Sequence, residues 1–178
     1  MDNMEGNELG LLQVYTGGGK GKTTAALGLV MRAWGHDLRV CVIQFLKKGE
    51  DYGEVHALRS MGIDVYQFGS GRLIIKGRHE RQDEDCARRA LKFSNDALTS
   101  GEYDLVVLDE INVALYFGLI SCQEVLSALK GREKHVEVVC TGRNAPPELK
   151  AEADLVTVME PEKHPYDNGL EARKGIEF

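Results

Sequence analysis

A segment rich in glycine and lysine, residues 16–24 (TGGGKGKTT), has the residue types and spacing that bind phosphate. It follows an apolar run and opens a helical pattern that extends from Lys22 to Trp34. Glycines allow the backbone to curl so that successive N–H groups point at one anion, and the helix dipole adds positive potential behind them. The context predicts a phosphate-binding P-loop. The residues predicted to contact the phosphates are Gly17, Gly18, Gly19, Lys20, Gly21, Lys22, Thr23 and Thr24.

Within this loop, Lys22 is predicted to reach the terminal phosphates of a nucleotide, and the Thr23 hydroxyl is predicted to bind a Mg²⁺ ion. The loop departs from the usual G-x-x-x-x-G-K-[ST] pattern at its first position, where Thr16 replaces glycine. The segment is therefore a variant P-loop.

A second candidate stretch is the apolar run from Tyr103 to Leu108, which ends in the acidic pair Asp109-Glu110. A strand that ends in carboxylates is the Walker B arrangement, which brings acidic groups to the metal ion of a P-loop. We expect Asp109 to face the metal or its water ligands, and Glu110 to be a direct ligand or an activator of water. Together with the P-loop, this pair predicts Mg-ATP binding.

Three further segments allow more than one interpretation. Arg143 follows the apolar run 136–141 and is placed to neutralise phosphate charge, although a surface arginine in a turn is the alternative. The lysines of the loop 47–53 could contact an anionic substrate, but a solvated loop is favoured. The segment from Gly71 to His79 is either a lid or binding loop or a small surface hairpin.

These residues must be positioned by strands that alternate with helices along the chain. The apolar runs predict strands at 11–15, 38–46, 63–68, 103–108, 136–141 and 155–159, with helical patterns in most of the intervals. This alternation predicts an α/β fold of the P-loop, RecA-like kind: a doubly wound, mostly parallel sheet with helices on both faces. We expect a mobile tail at residues 1–8 and a single domain over residues 9–178.

Composition narrows the function classes. The formal charge of −6 argues against a nucleic-acid surface spread over the domain. The four cysteines form no C-x-x-C pair, which predicts a reducing compartment rather than a disulfide framework or a zinc site. The amino terminus is polar and acidic, and no apolar run reaches membrane-spanning length, so a cytoplasmic protein is expected.

The whole pattern from Leu11 to Phe178 resembles the P-loop type of corrinoid adenosyltransferase. The segments that carry the resemblance are 16–26 (TGGGKGKTTAA), 32–36 (RAWGH), 42–47 (VIQFLK), 106–110 (VVLDE), 141–143 (TGR), 163–169 (KHPYDNG) and 172–178 (ARKGIEF). The P-loop alone would not distinguish families, but the TGR segment and the carboxyl-terminal segments in this order are specific. Members of this family transfer the 5′-deoxyadenosyl group of ATP to the cobalt of a reduced corrinoid and release triphosphate.

The resemblance implies a transferase in the synthesis or salvage of adenosylcobalamin, with Mg²⁺, ATP and a reduced corrinoid at its site. It implies catalytic roles for Lys22, Glu110 and Arg143, metal binding by Thr23, Asp109 and Glu110, and a nucleotide contact from Arg32. It also implies a flavoprotein or other reductase that supplies Co(I), and a homodimer. Because Co(I) is itself a nucleophile, this chemistry requires no nucleophilic side chain.

The sequence departs from the family pattern at two places. Gly18 stands where asparagine is common, and the segment from Gly71 to His79 has aliphatic residues where studied members have aromatic residues that help to remove the lower ligand of the corrinoid. Two alternative functions share the P-loop: another P-loop ATPase or kinase, and a carrier that binds corrinoid and ATP without forming a carbon–cobalt bond.

Overall fold

The computed structural model of the chain describes residues 9–49, 52–72 and 74–177. The predicted tail at residues 1–8 lies outside these ranges, as do Leu73 in the Gly71–His79 segment and the terminal Phe178. The strands are β1 (Leu12–Thr16), β2 (Val40–Gln44), β3 (Asp64–Gln67), β4 (Leu105–Asp109), β5 (Glu137–Thr141) and β6 (Leu155–Val158). The helices are α1 (Lys22–Trp34), α2 (Gly53–Ser60), α3 (Arg81–Thr99), α4 (Ile111–Tyr116), α5 (Cys122–Lys130) and α6 (Pro147–Glu152), followed by a 3₁₀ turn, Pro165–Asn168.

The strands form one sheet in the order β3-β2-β4-β5-β1-β6, and every strand pair in the described ranges is parallel. Strands β2, β4 and β5 are buried at all positions, which explains why they appear in the sequence as continuous apolar runs. Because the strands are parallel, all their carboxyl ends meet at one edge, where the P-loop follows β1 and Asp109 ends β4. The α/β prediction is confirmed.

Two apolar layers cover the faces of this sheet. One face includes Ile43 and Leu108 and packs beneath α3, α4, α5 and α6, with Leu98 and Leu149 contributed by the helices. The other face packs beneath α1 and α2, where Val30 lies in the core. Helices on both faces are what a doubly wound sheet requires.

The structure changes some predicted bounds. Strand β2 is shorter than the run 38–46, because Phe45, although buried, has already left the regular ladder and Lys47 turns toward β4. In the Gly71–His79 segment the described residues adopt neither strand nor hairpin, which leaves an irregular loop between β3 and α3. No helix in the described parts of the chain has both the length and the apolar character needed to cross a bilayer.

Candidate active site

The P-loop connects β1 to α1 and lies against the backbone that follows β6. Gly17 and Gly21 have φ angles of 102° and 107°, in the left-handed region that favours glycine. A Cβ on Gly17 would lie 2.4 Å from the carbonyl oxygen of Met159, and the Gly19 N–H donates to that same oxygen at 2.7 Å. The glycines are therefore required both by the turn and by close contact with the β6 segment.

Lys22 is the first residue of α1, and its ammonium group lies inside the loop. Its Nζ donates to the carbonyl oxygens of Gly17 and Gly19 at 2.9 and 2.5 Å. Burial lowers the pKa of Lys22, the nearby Glu110 opposes this shift, and Arg143 adds to it. The ammonium is thus held in the concave side of the loop, where it can exchange carbonyl partners for phosphate oxygens.

Asp109, at the end of β4, is fully buried and links the P-loop to β5. Its Oδ1 accepts hydrogen bonds from the hydroxyl groups of Thr23 and Thr141, both at 2.8 Å. The hydroxyl of Thr141 also accepts from the backbone N–H of Glu110 at 3.0 Å. Thr23 and the acidic pair, predicted separately from two distant segments, are therefore brought together.

Glu110 follows Asp109 in a left-handed conformation with φ of 63°, immediately before α4. Burial and the neighbouring Asp109 raise the pKa of Glu110 to about 7, against the opposing effect of Lys47, Lys22 and Arg143. The hydroxyl of Thr23 and the carboxylate of Glu110, with Asp109 behind Thr23, are oxygen groups of the kind that Mg²⁺ takes together with phosphate and water. The donor set fits this ion.

Lys47 corrects the prediction of a solvated loop after β2. Its Nζ is 3.1 Å from Asp109 Oδ2 and 3.0 Å from Glu54 Oε1, and the side chain is only 19% exposed. Burial alone would lower the pKa of Lys47, but the two carboxylates outweigh it and raise the pKa above its ordinary value. The next residue, Lys48, is exposed and lines an open cleft.

This cleft, of about 700 Å³, opens beside the acidic pair. Glu110, Arg143 and Asn144 line its polar side. The apolar lining comes from Leu46, Tyr52, Ile74, Val113, Tyr116 and Phe117. Gly71 and Arg72 belong to the lining as well, so described residues at the start of the Gly71–His79 segment form part of the cleft wall.

The remaining predicted residues are distributed unevenly. Gly18, Lys20 and Thr24 are exposed on the P-loop and the first turn of α1, and Lys20 forms an ion pair with Glu177. Arg32, by contrast, lies near the end of α1, about 15 Å along the helix from Lys22. There it lines a groove with Glu137 at the opposite edge of the sheet. The structure therefore does not bring Arg32 to the P-loop of its own chain.

Sequence reasoning missed several polar residues at the site. Thr16, the departure from the usual loop pattern, is buried and its Oγ1 accepts from the N–H of Ala145 at 3.1 Å. Thr141 and Gln44 contact Asp109, and Glu54 contacts Lys47. The signal that could have found Thr141 and Gln44 is a polar residue at the carboxyl end of an otherwise apolar strand, the position that also identifies Asp109.

Comparisons with known proteins agree with this geometry. The family described as ATP:corrinoid adenosyltransferase BtuR/CobO/CobP matches residues 8–178. A corrinoid adenosyltransferase of Pseudomonas aeruginosa is 38% identical over 173 residues, which covers 97% of this chain and 85% of the relative. The flagellar accessory protein FlaH of Methanocaldococcus jannaschii superposes with a TM-score of 0.55 at 11% identity, over 84% of this chain and 70% of that one. The RadB recombinase gives a TM-score of 0.52 at 14% identity, over 86% and 76%. These two structures share the fold.

Proposed function

The chain belongs to the ATP:corrinoid adenosyltransferase family, and we propose that it transfers the 5′-deoxyadenosyl group of ATP to the Co(I) centre of a reduced corrinoid. The observation that carries this proposal is that the cleft opens directly beside the P-loop site. Glu110, the predicted metal ligand, lies within the electrostatic reach of Asp109 and Lys22, and it also lines the cleft together with Arg143. A nucleotide in the loop and a large partly apolar substrate in the cleft would therefore meet at these residues.

The reaction is a displacement at C5′ of the nucleotide. The electron pair of Co(I) forms the cobalt–carbon bond while the C5′–oxygen bond breaks, and the bonding electrons leave with triphosphate. No proton has to be removed from the nucleophile, so the side chains are needed for positioning and for stabilising negative charge on the leaving group. This requirement agrees with a site composed of backbone N–H groups, cations and carboxylates.

We assign the phosphate cradle to residues Gly17–Thr24 and the neutralisation of the leaving triphosphate to Lys22 and Arg143. Thr23 and Glu110 would hold Mg²⁺, with Asp109 hydrogen-bonded to Thr23 in support. When bound, the ion would supply positive charge that favours departure of triphosphate. Arg32 has no part in this assignment, because it lies at the other end of α1.

The corrinoid is assigned to the cleft, whose apolar residues would pack against the corrin ring. The aromatic residues there are Tyr52, from the segment before α2, and Tyr116 and Phe117, from the end of α4. The described residues of the Gly71–His79 segment that line the cleft are Gly71, Arg72 and Ile74, none of them aromatic. Aromatic contacts with the corrinoid would thus come from other walls of the cleft than the resemblance implied.

Three further parts of the proposal follow from the chemistry and the resemblance. A Co(I) substrate requires an electron donor such as a flavoprotein reductase, because the cobalt must be reduced before the adenosyl group is transferred. We propose the cytoplasm as the compartment, since ATP and low-potential reductants are available there. We propose a homodimer as the assembly, and a single domain over residues 9–178.

The deciding experiment is anaerobic incubation of the protein with Mg-ATP and chemically reduced cobalamin. We expect the visible spectrum to change to that of light-sensitive adenosylcobalamin, with one triphosphate released per adenosyl group transferred. ADP and phosphate without a spectral change would identify another P-loop phosphohydrolase or kinase. Binding of both ligands without either product would identify a carrier.

A further inference from the structure

Lys47 lies beside the metal site but has no assigned role. It follows β2, and its segment is anchored on both sides: the Phe45 N–H donates to the Asp109 carbonyl at 3.0 Å, and the Lys47 carbonyl accepts from Gly69 N–H at 2.9 Å. These backbone contacts aim the side chain at Asp109 and Glu54, 3.1 and 3.0 Å away. The position of the ammonium is therefore set by the sheet edge and not by a freely moving loop.

Asp109 divides its two oxygens between two kinds of partner. Oδ1 accepts from the hydroxyls of Thr23 and Thr141, whereas Oδ2 takes the ammonium of Lys47 at 3.1 Å and the amide of Gln44 at 3.3 Å. The side chain of Asp109 is 1% exposed. A buried carboxylate is stable only when it is paired and hydrogen-bonded, and Lys47 is its cationic partner.

We propose that Lys47 is a positioning residue for the nucleotide site: by holding Asp109 Oδ2, it keeps Oδ1 directed at the Thr23 hydroxyl. Thr23 is thereby oriented for Mg-ATP. Glu54 takes part by holding Lys47 from the other side, since its carboxylate is within hydrogen-bond distance of the ammonium. The inference rests on the proposed function, because it assumes that Thr23 and Glu110 bind Mg-ATP.

A direct role for Lys47 in binding phosphate is less consistent with its surroundings. Its charge is offset by two carboxylates, and its side chain is largely covered. By contrast, no carboxylate among the described residues forms an ion pair with Lys22 or Arg143. At short range Lys22 contacts only carbonyl oxygens of the P-loop. Lys47 therefore acts on the ligand through Asp109, in the way that outer residues orient metal ligands.

The test compares nucleotide binding by calorimetry in wild type, Lys47→Met, Lys47→Arg and Asp109→Asn, in Mg²⁺ and in EDTA. We expect Lys47→Met to weaken Mg-ATP binding by about tenfold or more, the range for loss of an outer partner of a metal ligand. ATP binding in EDTA should change by less than about threefold, and Lys47→Arg should restore most of the Mg²⁺ effect. Lys92→Met, which removes an exposed lysine paired with Asp96, is the matched control.

A double variant distinguishes positioning from direct contact. If Lys47 acts through Asp109, adding Lys47→Met to Asp109→Asn should cause no further loss of Mg-ATP affinity. An additive loss, an equal loss in EDTA, or wild-type Mg-ATP binding by a folded Lys47→Met protein would each overturn the inference. Adenosyl transfer by wild type is measured in parallel, so failure of the proposed function is recognised separately. If Lys47→Met alone does not fold, the double variant, which removes both charges of the pair, is compared with Asp109→Asn: equal Mg-ATP affinity supports the inference and a further loss overturns it.

Discussion

At the scale of single residues, the adjacent carboxylates Asp109 and Glu110 have opposite environments. Asp109 has four donors around its carboxylate: the hydroxyls of Thr23 and Thr141, the amide of Gln44 and the ammonium of Lys47. Glu110, in contrast, has a raised pKa and lines the cleft. Two neighbouring acidic groups with such different surroundings agree with the different roles proposed for them: Asp109 would orient Thr23, and Glu110 would bind the metal ion. Sequence alone identified the pair, but the difference between their surroundings depends on Lys47, in the loop after β2, and on Thr141, at the end of β5.

We predict that Mg²⁺-dependent ATP binding strengthens as pH rises through about 7, the raised pKa of Glu110. Below this pH the carboxyl holds a proton that the metal must displace, and above it the charged ligand is already present. Calorimetry between pH 6 and 8.5 should show a steeper pH dependence in wild type than in Glu110→Gln. This comparison removes the contribution of the nucleotide's own phosphate protonation. Equal pH dependence in the two proteins would exclude Glu110 as the titrating ligand.

The raised pKa of Glu110 has the opposite effect on the stability of the ligand-free protein, which should decrease as pH rises. The pKa of Glu110 is raised from 4.5 to about 7, so the folded state holds a proton that the unfolded state has lost within this window. Stability therefore falls as pH rises through the window. Urea unfolding should show that Glu110→Gln gains stability relative to wild type at pH 8, with little difference at pH 4.

We predict that Lys22→Ala lowers the rate of adenosyl transfer by at least about 100-fold, as expected for loss of a group that stabilises the leaving charge. The fold should remain, because Lys22 Nζ contacts only two loop carbonyls at short range. Anaerobic absorbance assays measure the rate, and far-UV circular dichroism measures the fold. Full activity at ordinary Mg-ATP concentration would remove Lys22 from the site.

At the scale of elements, the first turn of α3 anchors one wall of the cleft through contacts with Arg72. Asp83, in the first turn, is 1% exposed, and its Oδ2 accepts from the Glu80 N–H at 2.8 Å and from Arg72 Nη2 at 3.3 Å. Burial by itself would raise the pKa of Asp83, but these donors, together with Ser70 and His79, lower it. A charged buried carboxylate therefore ties the irregular segment before α3 to the helix.

We predict that Asp83→Ala raises the KM for the corrinoid about fivefold or more while the KM for ATP stays within about twofold, because the cleft wall loses its anchor and the P-loop does not. Loss of the capping interaction should also cost about 1 kcal/mol of stability. Asp96→Ala removes an exposed carboxylate from the same helix and is the control. Parallel increases in both KM values would indicate general loosening instead of a local role.

The sequence predicted these elements more completely than it predicted their contacts. Buried strands and capped helices leave local patterns, and the carboxyl ends of parallel strands identify one edge of the sheet as the site. The neighbours of β2 cannot be derived from local pattern, because strand order depends on pairing between distant segments. For this reason Lys47 was assigned to a solvated loop, although β4 places Asp109 within 3.1 Å of it.

At the scale of the whole molecule, the carboxyl edge of the sheet, where the strands end, and the amino edge, where they begin, differ in the residues that they position. The carboxyl edge has the P-loop, the acidic pair and the cleft. The amino edge anchors the beginning of β1, where Glu137 accepts from the N–H groups of Gly10 and Leu11 at 2.9 and 2.7 Å and from Gln13 Nε2 at 2.6 Å. The groove containing Arg32 also lies at this edge, away from the nucleotide site.

This separation predicts that Glu137→Ala destabilises the protein without changing its catalysis. Glu137 is 9% exposed and its carboxylate accepts three hydrogen bonds, so its removal leaves three partly buried donors without this acceptor. We expect a loss of about 1–3 kcal/mol in the free energy of unfolding, and a smaller loss for Glu137→Gln, whose amide oxygen still accepts. Urea denaturation measures the loss. At a temperature where both proteins are folded, the KM for ATP and the transfer rate should match wild type. A changed KM for ATP would mean that the amino edge is coupled to the P-loop through β1, and that stability and function are not divided between the two edges.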